Sequence, residues 1–219
     1  DYIGGLSRQL NGIVNAPGRT FDGPQRMSLR AAFVDAAPSI DPTNNSNIFT
    51  SYYPYGSIVG LALDLEIRNR FKGKSLDDVM RRLWMTNGKP EVPYAPDAII
   101  GAITNVTGDQ EFAEAFFKNH IEGNSLPDFT PLFENAGIVY KVKDAGKPYI
   151  GRIRLNDKGE IQSNTIKGSP IYRAGLERGD VILRLGNRDI ENQADLSAAI
   201  ARYPVGERVT INYLQRGAV

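Results

Sequence analysis

A chain of 219 residues with 41% hydrophobic content can bury one large core or two modest ones. Its 26 Lys and Arg against 25 Asp and Glu leave a net charge of +1 with no long run of either sign, which argues against nucleic acid as a partner. Having no cysteine, it can form no disulfide, thiolate metal site or cysteine nucleophile, and its composition fits cytoplasm and periplasm equally.

From Tyr2 to Val14 the apolar residues Ile3, Leu6, Leu10, Ile13 and Val14 recur at three- and four-residue steps, which predicts a helix with one buried face. The chain opens inside this helix, at Asp1, with neither an initiator Met nor a signal-peptide pattern, so a fragment of a longer protein is expected. Pro24, Pro38, Pro42 and the polar run Thr43–Asn47 predict a long irregular loop up to Thr50, with a helical turn over Ser28–Val34. Ser57–Phe71 predicts a helix buried on nearly all sides at its start and charged at its end. Its apolar stretch, Ser57–Leu63, falls far short of the roughly 20 residues a membrane span needs, so a soluble chain without membrane attachment is expected.

Gly73 ends that helix, and Ser75 can cap the next, with Asp77 and Asp78 in the first turn and Leu76, Val79, Met80 and Leu83 inward. Pro96–Val106 and Gln110–Ile121 predict two further helices closed by Gly108 and Gly123, and Asp128–Asn135 a short one. Residues 1–144 thus read as an all-α array. The β-rich runs Ile138–Val142, Tyr149–Leu155, Gly159–Ile166 and Val209–Leu214 follow, with a boundary near Asp144–Lys147 and a second domain over 147–219.

The segment Gly168-Ser169-Pro170-Ile171-Tyr172-Arg173-Ala174-Gly175-Leu176-Glu177-Arg178-Gly179-Asp180-Val181-Ile182 resembles the Gly-Ser-Pro-Ala-x-x-Ala-Gly-Leu-x-x-Gly-Asp-Val-Ile core of bacterial PDZ domains. Here Gly175 supplies a turn, Leu176 enters the core, and Gly179-Asp180 turns into a strand over Val181–Leu185. Gln193–Tyr203 predicts a helix with Leu196, Ala199 and Ile200 on one face. The resemblance implies a peptide or protein C-terminus bound as an added strand. The expected groove is Gly159, Glu160, Ile161, Gln162 and Ser163 through Thr165 on one side and Leu196, Ala199 and Ile200 on the other, with a ligand carboxylate at the loop Asn156–Glu160. Leu196 and Ile200 also fit an ordinary core. The chain end Arg216–Val219 implies that the family's last strand is missing.

Within 1–146 His120 is the only histidine, so neither an H-E-x-x-H zinc site nor a Ser-His-Asp triad can be built. At a helix end its imidazole suits the last carbonyls. Asp64, Glu66, Asp77, Asp78 and Asp97 read as helix faces and caps rather than acid/base couples.

Tyr52-Tyr53-Pro54-Tyr55-Gly56-Ser57, then Leu63-Asp64-Leu65-Glu66-Ile67-Arg68 and Lys74-Ser75-Leu76-Asp77-Asp78-Val79-Met80, resemble the glycyl aminopeptidase family of gluzincin zinc peptidases, which carry a PDZ domain after the catalytic domain. Asn15-Ala16-Pro17-Gly18-Arg19 and Gly123-Asn124-Ser125-Leu126-Pro127 extend the likeness over nearly the whole chain. In related aminopeptidases a Tyr-x-x-Gly motif begins a helix, and its phenol bonds the oxyanion formed as zinc-bound water attacks the scissile carbonyl. Tyr53 holds that position, three residues before Gly56. The resemblance implies that the H-E-x-x-H helix and the third ligand, a glutamate, lie upstream of Asp1. The zinc then belongs to the parent, this chain supplies no metal ligand, and alone it is expected to cleave nothing, whereas the parent removes amino-terminal Gly or Ala. The competing reading is a non-enzymatic PDZ adaptor on a helical scaffold.

Overall fold

The computed structural model describes residues 2–34 and 42–216. Its first half runs through α1 (Tyr2–Val14), α2 (Pro24–Val34), α3 (Asn45–Ile48), α4 (Tyr52–Arg70), α5 (Leu76–Leu83), α6 (Pro96–Thr107), α7 (Gln110–Phe116) and α8 (Phe129–Asn135). A 3-10 turn, Pro17–Thr20, follows α1, and wider π-type turns prolong α5 over Trp84–Gly88 and α7 over Phe117–Glu122. The second half holds α9 (Pro170–Arg173), β1 (Val181–Leu185), β2 (Arg188–Asp189), α10 (Gln193–Ile200) and β3 (Ile211–Leu214). No described helix is long and apolar enough to cross a membrane.

These residues separate into two units, 2–34 with 49–141 and 42–48 with 142–216. Residues 42–48, which the sequence assigns to a loop of the helical domain, therefore group with the β-containing unit.

Helix α4 is the central element of the helical unit. It buries Tyr55, Ile58, Val59, Ala62, Leu63 and Ile67 and packs against α1, α2, α5 and α8. Burying each of the Ile, Val and Leu side chains among them stabilises the fold by about 1.5–3 kcal/mol. The helix starts at Tyr52, five residues earlier than the apolar run suggests, because Pro54 lies in its first turn, where a missing N–H leaves no bond unmade. Likewise α2 begins at Pro24 rather than Ser28.

Polar groups fix the joint between α4 and α5. The Asp78 carboxylate accepts from the Ser75 amide at 3.0 Å, and the Asp64 carboxylate on α4 accepts from the Leu76 amide at 2.9 Å while pairing with Arg68 at 2.7 Å. Asp64 is thus a cap for the next helix, a role that spacing along its own helix does not disclose.

Ile138–Val142 forms no strand. Ile138 and Tyr140 pack on the helical core instead, with the Tyr140 ring 5.8 Å from that of Phe133. A β-favouring composition makes a strand only beside a partner, and none is supplied here.

In the second unit β1 is central, antiparallel to β2 and β3. Ile153, Ile161, Ile171, Leu176, Ile182, Leu185, Ile190, Leu196 and Ala199 form its core. The β-rich runs at Tyr149–Leu155 and Gly159–Ile166 pair at single bridges, Leu155 with Ile161 and Glu160 with Val181. Asp180, 1% exposed, accepts from the amides of Glu177 at 2.8 Å and Arg216 at 2.9 Å. A buried carboxylate bonded this way holds the Gly-Asp turn to the end of β3.

Candidate functional site

Tyr53 is the second residue of α4, and its ring stands 4.4 Å from that of Tyr52, centroid to centroid. It is 69% exposed, whereas Tyr55 is fully buried and directs its hydroxyl to the Asn124 carbonyl at 3.5 Å. Burial pushes the Tyr55 phenol above its usual 10.0, with the Arg19 guanidinium opposing the shift. One tyrosine therefore anchors the helix start and the other projects from it. Gly56, one turn on from Tyr53, has no atom near the place a Cβ would take, so the helix face beside that phenol is bare.

A cavity of about 320 Å³ opens elsewhere on the helical unit, lined by Glu66, Arg70, Asp109, Glu111, Phe112, Asn119 and His120 among others. Burial raises the Glu66 carboxyl above the ordinary 4.5, and the charges of His120 and Arg70 oppose this. The Nδ1 of His120 lies 2.7 Å from the Ser125 carbonyl, and its ring meets Phe116 edge-on at 4.9 Å. That carbonyl belongs to the loop after the helical segment, which ends at Glu122, so the imidazole ties the loop to the helix end rather than meeting the helix's own last carbonyls. Tyr53 and Glu66 lie 13 residues apart on α4, so about 20 Å of helix separates cavity and phenol. Among the described residues no group of three or more His, Cys, Asp or Glu side chains could hold a metal ion.

Backbone pairing determines which strand of the second unit has an unpaired edge. On one side of Gly159–Gln162, Gln162 N donates to Arg154 O at 2.8 Å and Asn156 N to Glu160 O at 3.0 Å. On the other, Ile161 N donates to Asp180 O and Ile182 N to Gly159 O, both at 2.9 Å. Gly159 is required there: its φ is +71°, and a Cβ would come within 2.7 Å of the Ile182 carbonyl oxygen. The Ser163 hydroxyl accepts from Arg154 N at 3.0 Å. Of the expected groove edge Gly159, Glu160, Ile161, Gln162 and Ser163, the stretch Gly159–Ile161 is therefore already paired on both sides through isolated bridges and backbone bonds.

The Asn156–Glu160 loop is equally occupied. The Asn156 side-chain oxygen accepts from the amides of Lys158 and Glu160, both at 3.0 Å, and the Gly159 amide donates to Asn156 O at 3.3 Å. No seat for a terminal carboxylate remains among those amides, and the Glu160 carboxylate beside them would repel one.

The edge that stays open belongs to the preceding arm. Arg154 and Asn156 turn their bonding groups toward Glu160–Gln162, so Ile153 and Leu155 turn theirs the other way. Ile153 makes no backbone hydrogen bond among the described residues, and Leu155 N donates to the Gln193 side chain at the start of α10, 2.9 Å away. Leu196 and Ala199 are buried, so both belong to the core, while Ile200 is half-buried at its margin. Periodicity alone does not reveal this edge. The order of pairing comes from contacts between residues distant along the chain.

The PDZ domain family profile matches residues 134–214. The chain therefore carries a PDZ domain. Among curated proteins it is similar to two described as "Probable periplasmic serine endoprotease DegP-like". One, from Rickettsia prowazekii, is 25% identical over 115 residues, 40% of this chain and 22% of that protein. The other, from Hahella chejuensis, is 26% identical over 95 residues, 43% of this chain and 20% of that protein. The chain thus spans about a fifth of the length of the curated relatives it matches. Among solved structures it is similar to an aminopeptidase N family protein from Idiomarina loihiensis, with a TM-score of 0.75 and 20% identity. That likeness covers 95% of this chain and 37% of the other, and it is one of fold.

Proposed function

We propose that this chain is the helical and PDZ-bearing portion of a zinc-dependent aminopeptidase of the gluzincin type, whose parent removes amino-terminal Gly or Ala. The observation that carries this reading is the likeness of fold to an aminopeptidase N family protein across 95% of the chain, joined to the Tyr-x-x-Gly motif at the start of α4. Tyr53 has the required chemistry. A neutral phenol standing free of the helix donates a hydrogen bond to the negative charge that develops on a scissile carbonyl oxygen. The zinc, which supplies Lewis-acid activation of water when bound, belongs to residues outside this chain. Since both curated relatives are described as periplasmic, the periplasm is the proposed compartment.

The PDZ unit takes an extended peptide or a protein C-terminus as an added strand. Its edge is Ile153–Leu155, in place of Gly159–Ser163, and α10 with Ile200 at its margin forms the facing wall. Calorimetric zinc titration and a glycyl-anilide assay test the division of labour. The isolated chain is expected to bind no catalytic zinc and to turn over no substrate, and turnover by it would overturn the assignment. A native reading frame without an H-E-x-x-H segment before Asp1 would leave the binding module and remove the peptidase.

A further inference from the structure

The open edge of the PDZ unit carries charge on one face. Along it Ile153 is buried and Leu155 half-buried against the core, whereas Arg152 and Arg154 are exposed. Successive side chains of an extended chain point to opposite faces, so both guanidinium groups stand on the outer face, two residues apart. Neither has a carboxylate partner among the described residues. The Leu155–Ile161 bridge sets Gln162 opposite Arg154 on the paired side, and Gln162 is uncharged.

A strand added at this edge meets that face directly. Ile153 and Leu155 aim their backbone groups outward, so in an antiparallel ladder the residues opposite them exchange hydrogen bonds with them. The residues opposite Arg152 and Arg154 then form the intervening pairs, in which side chains approach most closely. Those ligand side chains share the outer face with the two arginines. The alternate ones turn toward α10, whose only charged residue is Asp195, so an acid there gains nothing. Toward Asn156 the outer face becomes acidic, because the Glu160 carboxylate accepts from the Asn156 side chain at 2.8 Å. Negative charge is therefore matched at two ligand positions and opposed at the next.

We infer that the occupant of this edge is an extended peptide segment with acidic side chains at two alternate positions, opposite Arg152 and Arg154, and apolar side chains at the positions between and beside them. The inference rests on the proposed reading of Ile153–Leu155 as the groove edge and adds what that edge selects. Opposite charges facing each other across such a ladder tighten binding modestly, by about 2- to 30-fold in Kd for two pairs together. Because both arginines are exposed, the gain is screened by salt.

Fluorescence polarisation on the full 219-residue chain tests this with labelled peptides Val-x-Val-x-Val, identical except that x is Glu, Gln or Lys. The Glu peptide is expected to bind about 2- to 30-fold more tightly than the Gln peptide, and the Lys peptide most weakly, with the ratios falling toward one in about 0.5 M salt. In the double variant Arg152→Gln, Arg154→Gln, which alters two exposed side chains and no core contact, the Glu and Gln peptides are expected to bind alike. Equal affinity for all three peptides in the wild type would overturn the charge preference and leave the groove standing. A Glu preference that survives in the double variant would overturn it too. Failure of all three to bind would instead remove the groove reading beneath it, and a peptide-free chain that then sediments as a dimer would give the edge to a second copy.

Discussion

The Leu155 amide donates to the side-chain oxygen of Gln193 at 2.9 Å, across the open side of the arm that carries Ile153. Gln193 thereby supplies the acceptor that a carbonyl of an added strand would supply. Gln193→Ala removes one exposed bond, worth about 0.5–1.5 kcal/mol at most, and leaves nothing to be displaced. Peptides that dock by strand addition should then bind more tightly, measured by fluorescence polarisation with a library of C-terminal hexapeptides. Weaker binding would make Gln193 a ligand contact rather than a competitor.

Tyr53→Phe removes the phenolic donor and keeps the ring. Because Tyr53 is largely exposed, the unfolding temperature should not change. In the longer parent, loss of an oxyanion donor should lower kcat by about 10²–10³-fold with little effect on KM. An unchanged kcat would return Tyr53 to a packing role beside Tyr52.

Leu196 and Ile200 share a helix face but differ in burial, 1% exposed against half-buried. Leu196→Ala should cost about 2–5 kcal/mol of PDZ-unit stability in urea unfolding, as for other buried leucines. Ile200→Ala should cost less and should weaken peptide binding instead. Equal stability losses with unaltered binding would place both in the core and move the groove wall elsewhere.

The legible parts of this fold are those written locally. Gly168–Leu183 encodes its own turns, so a PDZ domain can be recognised from it, and Tyr52–Gly56 can be placed at a helix start. Long-range relationships were hidden. Gly159–Ser163 reads like an edge strand, but Asp180–Ile182 pairs with its first three residues, and nothing within five residues signals that. Asn47 sits in a polar run that composition assigns to a loop, and its partners are 118 and 120 residues away. Asp64 resembles a surface carboxylate until α5 starts beside it.

Glu66 gives the pH prediction. Burial raises its carboxyl above 4.5 in the folded chain, against the opposing charges of His120 and Arg70. A raised acid means that, in the window from about 4.5 up to the shifted value, the folded state holds the proton more tightly than the unfolded one. Stability from this group is therefore fully present below the window and is lost as pH rises through it. Glu66→Gln, which keeps the shape and removes the titration, should flatten the fall of helical-unit stability with pH above 4.5, followed by urea unfolding at stepped pH. A slope equal to the wild type's would assign the pH dependence to other groups. A steeper one would mean that the ionised carboxylate, 3.7 Å from Arg70, is worth more to the fold than its burial costs.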